Sequence, residues 1–147
     1  MGTISTSIEI ARPADAVFAY ATDPRTFPDW QQGVVDGSME KSGTPSVGDV
    51  CHTTRRIGFA NRPVTSRVTH VNAPTSWGVR GIDGPIRATV DVTVESLGPS
   101  QSRLTIAIDF AGHGIGKLLV PLVVEREARK EMPANLAALK AKVEGAN

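Results

Sequence analysis

Glu125 and Arg129 are the charged residues whose spacing offers chemistry most directly. Four positions apart, they share one side of a helix. Glu ahead of Arg is the favourable order for such a pair, which contributes only about a few tenths of a kcal/mol when exposed. Held against an apolar space, Arg129 would orient a ligand carboxylate or carbonyl, and Glu125 would move a proton if desolvation raised its pKa. The other reading is a solvated ion pair on a bent helix.

His52, His70 and His113 lack metal-ligand spacing and the neighbouring Cys, Asp or Glu of a zinc or iron site, so they read as structural or exposed and no metal is expected. The single cysteine, Cys51, has no partner for an intramolecular disulfide and no histidine placed by sequence to activate it. The stretch Ala111-Gly-His-Gly-Ile-Gly-Lys117 has the glycines of a phosphate loop without its spacing. A phosphate loop needs Gly where Ala111 stands and Ser or Thr where Leu118 stands, and the dinucleotide pattern needs Gly at Lys117. It reads as a flexible hinge or a plain connection into a helix. No nucleophile, metal or cofactor signature emerges, and no cofactor is expected.

The chain that must position these residues has 147 of them, 40% hydrophobic and 21% charged, which suits one globular domain over 1–147 with a sizeable core. Sixteen Lys and Arg against fifteen Asp and Glu leave a net charge of +1, without the basic excess of a nucleic-acid binder. A lone cysteine, and no basic stretch leading into an apolar signal core, make a cytoplasmic setting the expectation. The longest apolar run, Ile115 to Val124, is too short to cross a bilayer, so no membrane span is expected.

Ile4, Thr6, Ile8 and Ile10 alternate with polar residues, the period of a strand with one buried face. Pro13 fits the first turn of a short helix carrying Val17 and Phe18, which Asp23-Pro24 stops. A second tight helical turn or compact loop runs to Trp30, anchored by Phe27 and Trp30. Extended segments follow at Val34 to Glu40, Val50 to Ile57, Pro63 to Val71, Ser76 to Ile82, Arg87 to Leu97 and Arg103 to Phe110, separated by Gly and Pro: an antiparallel meander. Val90, Val92 and Val94, and likewise Leu104, Ile106 and Ile108, mark its dry face. From about Ile115 to Glu144 the pattern is one long helix. Leu118, Leu122, Met132, Leu136, Leu139 and Val143 fall on one side, with Glu125 and Arg129 on the stripe of Leu122 and Leu136. Pro121 predicts an early start or bend, and Pro133 a kink.

This order of elements, with the stretches Ile8 to Phe18, Asp23-Pro-Arg-Thr-Phe-Pro-Asp-Trp30, Val47-Gly-Asp, Val71-Asn-Ala-Pro74 and Leu136 to Glu144, resembles the polyketide-cyclase/lipid-transport (START-like, SRPBCC) superfamily over essentially the whole chain. The resemblance implies an α+β helix-grip fold: a curved seven-stranded antiparallel sheet wrapped around the long C-terminal helix, with two short N-terminal helices. Between sheet and helix it implies a cavity for a lipid, polyketide or other apolar ligand, but no single reaction. It also turns Cys51, Thr53 and Arg55 inward and His52, Thr54 and Arg56 outward, so that Arg55 becomes a second candidate for a polar ligand contact. The aromatics Tyr20, Phe27, Trp30, Phe59 and Trp77 would line the cavity, or else simply fill core. The sheet would add Val90, Val92, Ile106 and Ile108, and the helix Leu118, Leu122, Glu125 and Arg129.

The expected function is binding or transport of a hydrophobic small molecule, by a monomer or a homodimer. One alternative is a polyketide cyclase or aromatase-like enzyme in which Glu125, Arg129 or His70 assists enolisation or dehydration. Another is a stress or ribosome-associated regulatory module.

Overall fold

The alternation that opens the sequence becomes strand β1, Ile4–Ile10, with Ile4 and Ile10 buried and Ser5, Ser7 and Glu9 in water. The structure, a computed structural model, describes residues 3–57 and 59–145, without the side chains of Ile57, Leu118, Leu119, Pro121 and Leu122. Six further strands follow: β2 Val34–Met39, β3 Val50–Ile57, β4 Ala60–Asn72, β5 Ser76–Gly81, β6 Ile86–Gly98 and β7 Gln101–Gly112. They form one antiparallel sheet in the order β1-β7-β6-β5-β4-β3-β2. Only the first strand leaves its sequence position, pairing with the last, which lets a plain meander curl into a half-barrel.

The register sets Ile4 beside Ile108, Ile108 beside Val90, Val90 beside Val79 and Val79 beside Val68, one inward row across five strands. In β4 the pairing slips between Val68 and His70, so that Val68 and Val71 both face the interior while Thr69 and His70 take the convex side. Such a bulge bends a strand, and here it helps the sheet curl.

Pro13 stands immediately before α1, Ala14–Ala21, with a φ that proline already fixes. The Asp23 carboxylate accepts the Arg25 N–H at 3.0 Å and caps the 3-10 turn Pro24–Thr26, which runs into α2, Phe27–Trp30. Phe27 meets Trp30 edge to face at 5.6 Å and Trp77 at 6.5 Å, fastening this segment to β5. On β2, a Cβ at Gly37 would collide with the Pro24 carbonyl, so glycine is what lets the turn lie on the strand.

The C-terminal segment is not one uniform helix. A short α3, Gly116–Leu119, passes through a π-helical turn at Val120–Val124 into α4, Glu125–Gly145. Pro121 accounts for it: a proline has no N–H to donate to the preceding turn, so the chain widens there. Pro133 lies inside α4 on its exposed side, and the helix continues past it to Gly145. The far end of α4 is clamped to the start of the chain: Glu144 accepts the Ala11 N–H at 2.8 Å, and Lys140 reaches both Glu144 at 2.7 Å and the Glu9 carbonyl at 2.8 Å. Asn135, buried on α4, accepts the Gln32 N–H at 3.1 Å and ties the helix to the turn before β2. No helix among the described residues is long and apolar enough to cross a membrane.

Candidate ligand-binding site

The inward side chains of the sheet divide into two groups. Toward the end where β1 finishes, Ile10, Val94 and Leu104 are buried in one cluster with Val17, Leu136, Leu139 and Val143. Toward the other end, Thr53, Val64, Ser66, Ala88, Val90, Ile108 and Phe110 share the inward parity yet stay only half-buried. Partial exposure on an inward face means that the space above it is incompletely filled. The buried residues of α4, from Met132 to Val143, all belong to its C-terminal part, so its first two turns cover less. The open half of the concave face is therefore the candidate site. Two grooves lie elsewhere, one on the convex face beside Thr93, Glu95, Arg103 and Thr105, the other near the β2–β3 turn beside Asp49 and Arg67.

Arg55 supplies the charge of the open half. It points inward and is half-buried, and its Nη2 donates to Gln31 Oε1 at 3.2 Å. Burial pulls its pKa down and Glu131 on α4 pulls it back up, but a guanidinium stays protonated. Glu131 is shifted upward, by burial first and then by Glu127, with Arg55 and Lys130 opposing. No ion pair joins Arg55 to Glu131 among the described residues, so the strongest hydrogen-bond partner of this buried cation is a neutral amide. Its remaining N–H groups, which have no acceptor among the described residues, suit an anionic or carbonyl group in the site.

The structure sorts the expected cavity residues. Thr53, Arg55, Val90 and Ile108 do face the open half. Phe27, Trp30, Cys51, Trp77, Val92 and Ile106 are packed in the interior and present almost no surface to a ligand. For the aromatics the reason is their mutual stacking; Cys51, near the start of β3 and opposite Ser66 of β4, is buried, which raises the thiol's pKa, with a hydrogen bond to Ser66 opposing. The side chains of Leu118 and Leu122 lie outside the described residues.

Glu125 is half-buried, with its Oε2 buried and unpartnered among the described residues. Arg129 is exposed, and no hydrogen bond or ion pair links the two. The expected pair thus does not form: little covers this stretch of α4, and a long guanidinium there reaches water. Between Glu125 and Glu131 the half-buried residues are Glu125, Ala128 and Glu131.

Two of the histidines, His52 and His70, lie on the outward side of the sheet, away from the open half. His52 pairs with Glu40 at 3.1 Å, His70 faces Asp91 at 3.6 Å across Gly78, and His113 is exposed. His70 is therefore no candidate for work on a ligand in the concave face. The glycine-rich run before α3 is a packed connection and not a hinge: His113 N–H donates to the Pro85 carbonyl at 2.8 Å, and a Cβ at Gly116 would strike that same carbonyl.

The model of the family described as polyketide cyclase / dehydrase and lipid transport matches residues 1–144. The chain belongs to this family. Membership agrees with the helix-grip architecture and with the START-like resemblance in the sequence. Among solved structures, the Zhui aromatase/cyclase from Streptomyces sp. R1128 is similar with a TM-score of 0.76 at 17% identity, covering 97% of this chain and 93% of that one. A START superfamily protein from Mycobacterium smegmatis reaches 0.77 at 17% identity, with 99% of each chain covered. At such identities the likeness is one of fold. A curated relative, the uncharacterized protein Rv0088 of Mycobacterium tuberculosis, is 29% identical over 116 residues, which is 77% of this chain and 50% of that protein. The chain thus spans about half the length of the curated relative it matches.

Part of the open half does not stand out in the sequence. Val64, Ser66, Ala88 and Phe110 were available by parity from Val68, Val90 and Ile108. Gln31 and Glu131 carried no such signal, because their relation to Arg55 depends on how α2 and α4 sit over the sheet.

Proposed function

We propose that the chain binds an apolar small molecule bearing one anionic or strongly polar group. The apolar body lies on the open half of the concave face, against Val90, Ile108 and Phe110, and the polar end is held by Arg55. The observation that carries this reading is the inward Arg55 guanidinium whose hydrogen-bond acceptor among the described residues is the neutral Gln31. A charge so placed is satisfied more fully by a ligand than by the protein. The test is denaturing extraction of purified protein followed by mass spectrometry, together with titration of fluorescent fatty-acid and aromatic-acid probes. An apolar acid co-purifying, or saturable probe binding, is the expected result; neither one appearing overturns the proposal.

A cyclase-like reaction is the second reading, favoured by the buried Glu125 Oε2 with no partner among the described residues. In that reading Glu125 takes a proton from a bound β-ketone substrate while Arg55 steadies the developing enolate. Glu125→Gln then abolishes turnover and leaves probe binding intact; unchanged turnover removes Glu125 from the mechanism.

A further inference from the structure

The open half of the concave face has a rim built from three loops. The β3–β4 turn carries Phe59, the β5–β6 loop carries Ile82, and the connection from β7 to α3 carries Ile115. The β5–β6 loop lies against β4 and against the β7–α3 connection: Ile82 N–H donates to the Thr65 carbonyl of β4 at 3.0 Å, and His113 N–H to the Pro85 carbonyl at 2.8 Å. Strand β5 stops pairing with β4 at Gly81 opposite Ser66, so the β3–β4 hairpin projects beyond its neighbour.

Large apolar side chains are exposed along this rim. Phe59 is fully exposed, Ile115 is 68% exposed, Ile82 38%, and Val123 of the π turn 50%. Phe59 belongs to no buried cluster among the described residues. Beside these tips Arg56, Arg62 and Lys117 are exposed, Arg62 opposite Arg55 on the inner face of the hairpin and Arg56 on its outer face, while Arg87 is half-buried and donates to the Gly84 carbonyl at 3.1 Å. The acidic group of the three loops is Asp83, whose carboxylate is already engaged by the Thr65 N–H at 3.1 Å. At the start of α4, Glu125 and Glu127 stand beside Arg126.

We propose that this rim docks on a bilayer with anionic headgroups, with Phe59 and Ile115 entering the headgroup region and the arginines and Lys117 on lipid phosphates. Two features favour a bilayer over a protein partner. The apolar residues sit on separate projecting tips, whereas a protein interface requires a continuous complementary surface. A lipid interface accepts isolated tips of any shape, and basic side chains beside them add attraction to anionic lipid. Docked in this way, the open half of the concave face is turned toward the membrane, where an apolar ligand enters or leaves without crossing water. The docking surface stands whether or not Arg55 holds the ligand proposed above.

Co-sedimentation of the full chain with vesicles tests the proposal, using phosphatidylcholine and phosphatidylglycerol in equal parts against phosphatidylcholine alone. Binding to the anionic vesicles that weakens with added salt is expected. Phe59→Ser weakens it by about tenfold, and Arg62→Gln by about fivefold. Both residues are exposed, so these variants fold. In Phe59→Trp the new indole is quenched by brominated acyl chains, against a small background because Trp30 and Trp77 are buried. Absence of binding to anionic vesicles, or binding indifferent to Phe59→Ser, overturns the proposal. A dimer in vesicle-free solution that Phe59→Ser dissolves would assign the rim to a second copy of the chain and overturn it equally.

Discussion

Arg55 on β3 and Glu131 on α4 shift each other's proton affinity without forming an ion pair, and Arg55 instead donates to Gln31 at 3.2 Å. A cation taken partly out of water and left to a neutral acceptor contributes little to folding, since its desolvation is not offset by a close opposite charge. It is well placed for a ligand. Arg55→Gln is expected to weaken binding of a fatty or aromatic acid by about tenfold to a hundredfold, the range of a hydrogen bond to a charged group. Binding of the corresponding methyl ester changes far less, and the melting temperature holds or rises. Parallel titrations of acid and ester with both proteins measure the difference.

Glu131 predicts a pH dependence of stability. Burial and Glu127 raise its carboxyl above the ordinary value, so the folded chain holds the proton more tightly than the unfolded chain does. Stability contributed by the protonated form is complete below the unfolded pKa and is lost as pH rises toward the raised folded value. Denaturant midpoints across that window are expected to fall with rising pH in the native protein, and to fall less in Glu131→Gln.

Glu144 acts in the opposite sense. The Ala11 N–H and then Lys140 lower its carboxyl below the ordinary value, so its contribution is present above the unfolded pKa and is lost as pH falls through the folded one. Glu144→Gln is expected to flatten the acid limb of the stability curve. It should also speed amide exchange at Ala11, because the neutral amide oxygen accepts that N–H more weakly than the carboxylate, which holds it at 2.8 Å.

The sheet was legible because its cause is local. Alternation in Ile4 to Ile10, Val90 to Val94 and Leu104 to Ile108 marks which face is dry, and the Gly and Pro between segments mark the turns. The helix stripe was legible only in part: Met132, Leu136, Leu139 and Val143 are buried as the period demands, while Arg129, on the same stripe, is exposed. Periodicity says which way a residue points and not whether anything covers it. For the same reason Cys51, Val92 and Ile106 have the parity of cavity residues but are packed. Arg55 was found through strand parity joined to family resemblance, whereas Gln31 and Glu131 reach it only through tertiary packing.

Gly116 separates a hinge from a packed connection by the sign of one substitution. In a free hinge, Gly116→Ala would stabilise the chain by about 0.4–1 kcal/mol through the unfolded state. Here the added Cβ meets the Pro85 carbonyl, a backbone group that cannot swing aside. Destabilisation by about 1–3 kcal/mol is therefore expected. The denaturant midpoint reports it, and an unchanged slope attributes it to stability alone.

Leu139 and Val90 both face the interior, but they occupy its two halves. Leu139 is fully buried beside Leu136 and Val143, so Leu139→Ala leaves a cavity in closed packing and costs about 2–5 kcal/mol. Val90 is half-buried, its side chain already borders unfilled space, and Val90→Ala removes contacts worth about 1 kcal/mol. What Val90→Ala should change is recognition: the enlarged apolar wall admits bulkier aromatic acids, whose affinity rises relative to straight-chain ones. Leu139→Ala should leave that ratio unaltered. Denaturation of both variants, with probe titrations at a temperature where each is folded, tests the division of the concave face directly. Equal stability losses, or an unchanged preference in Val90→Ala, would place the ligand elsewhere.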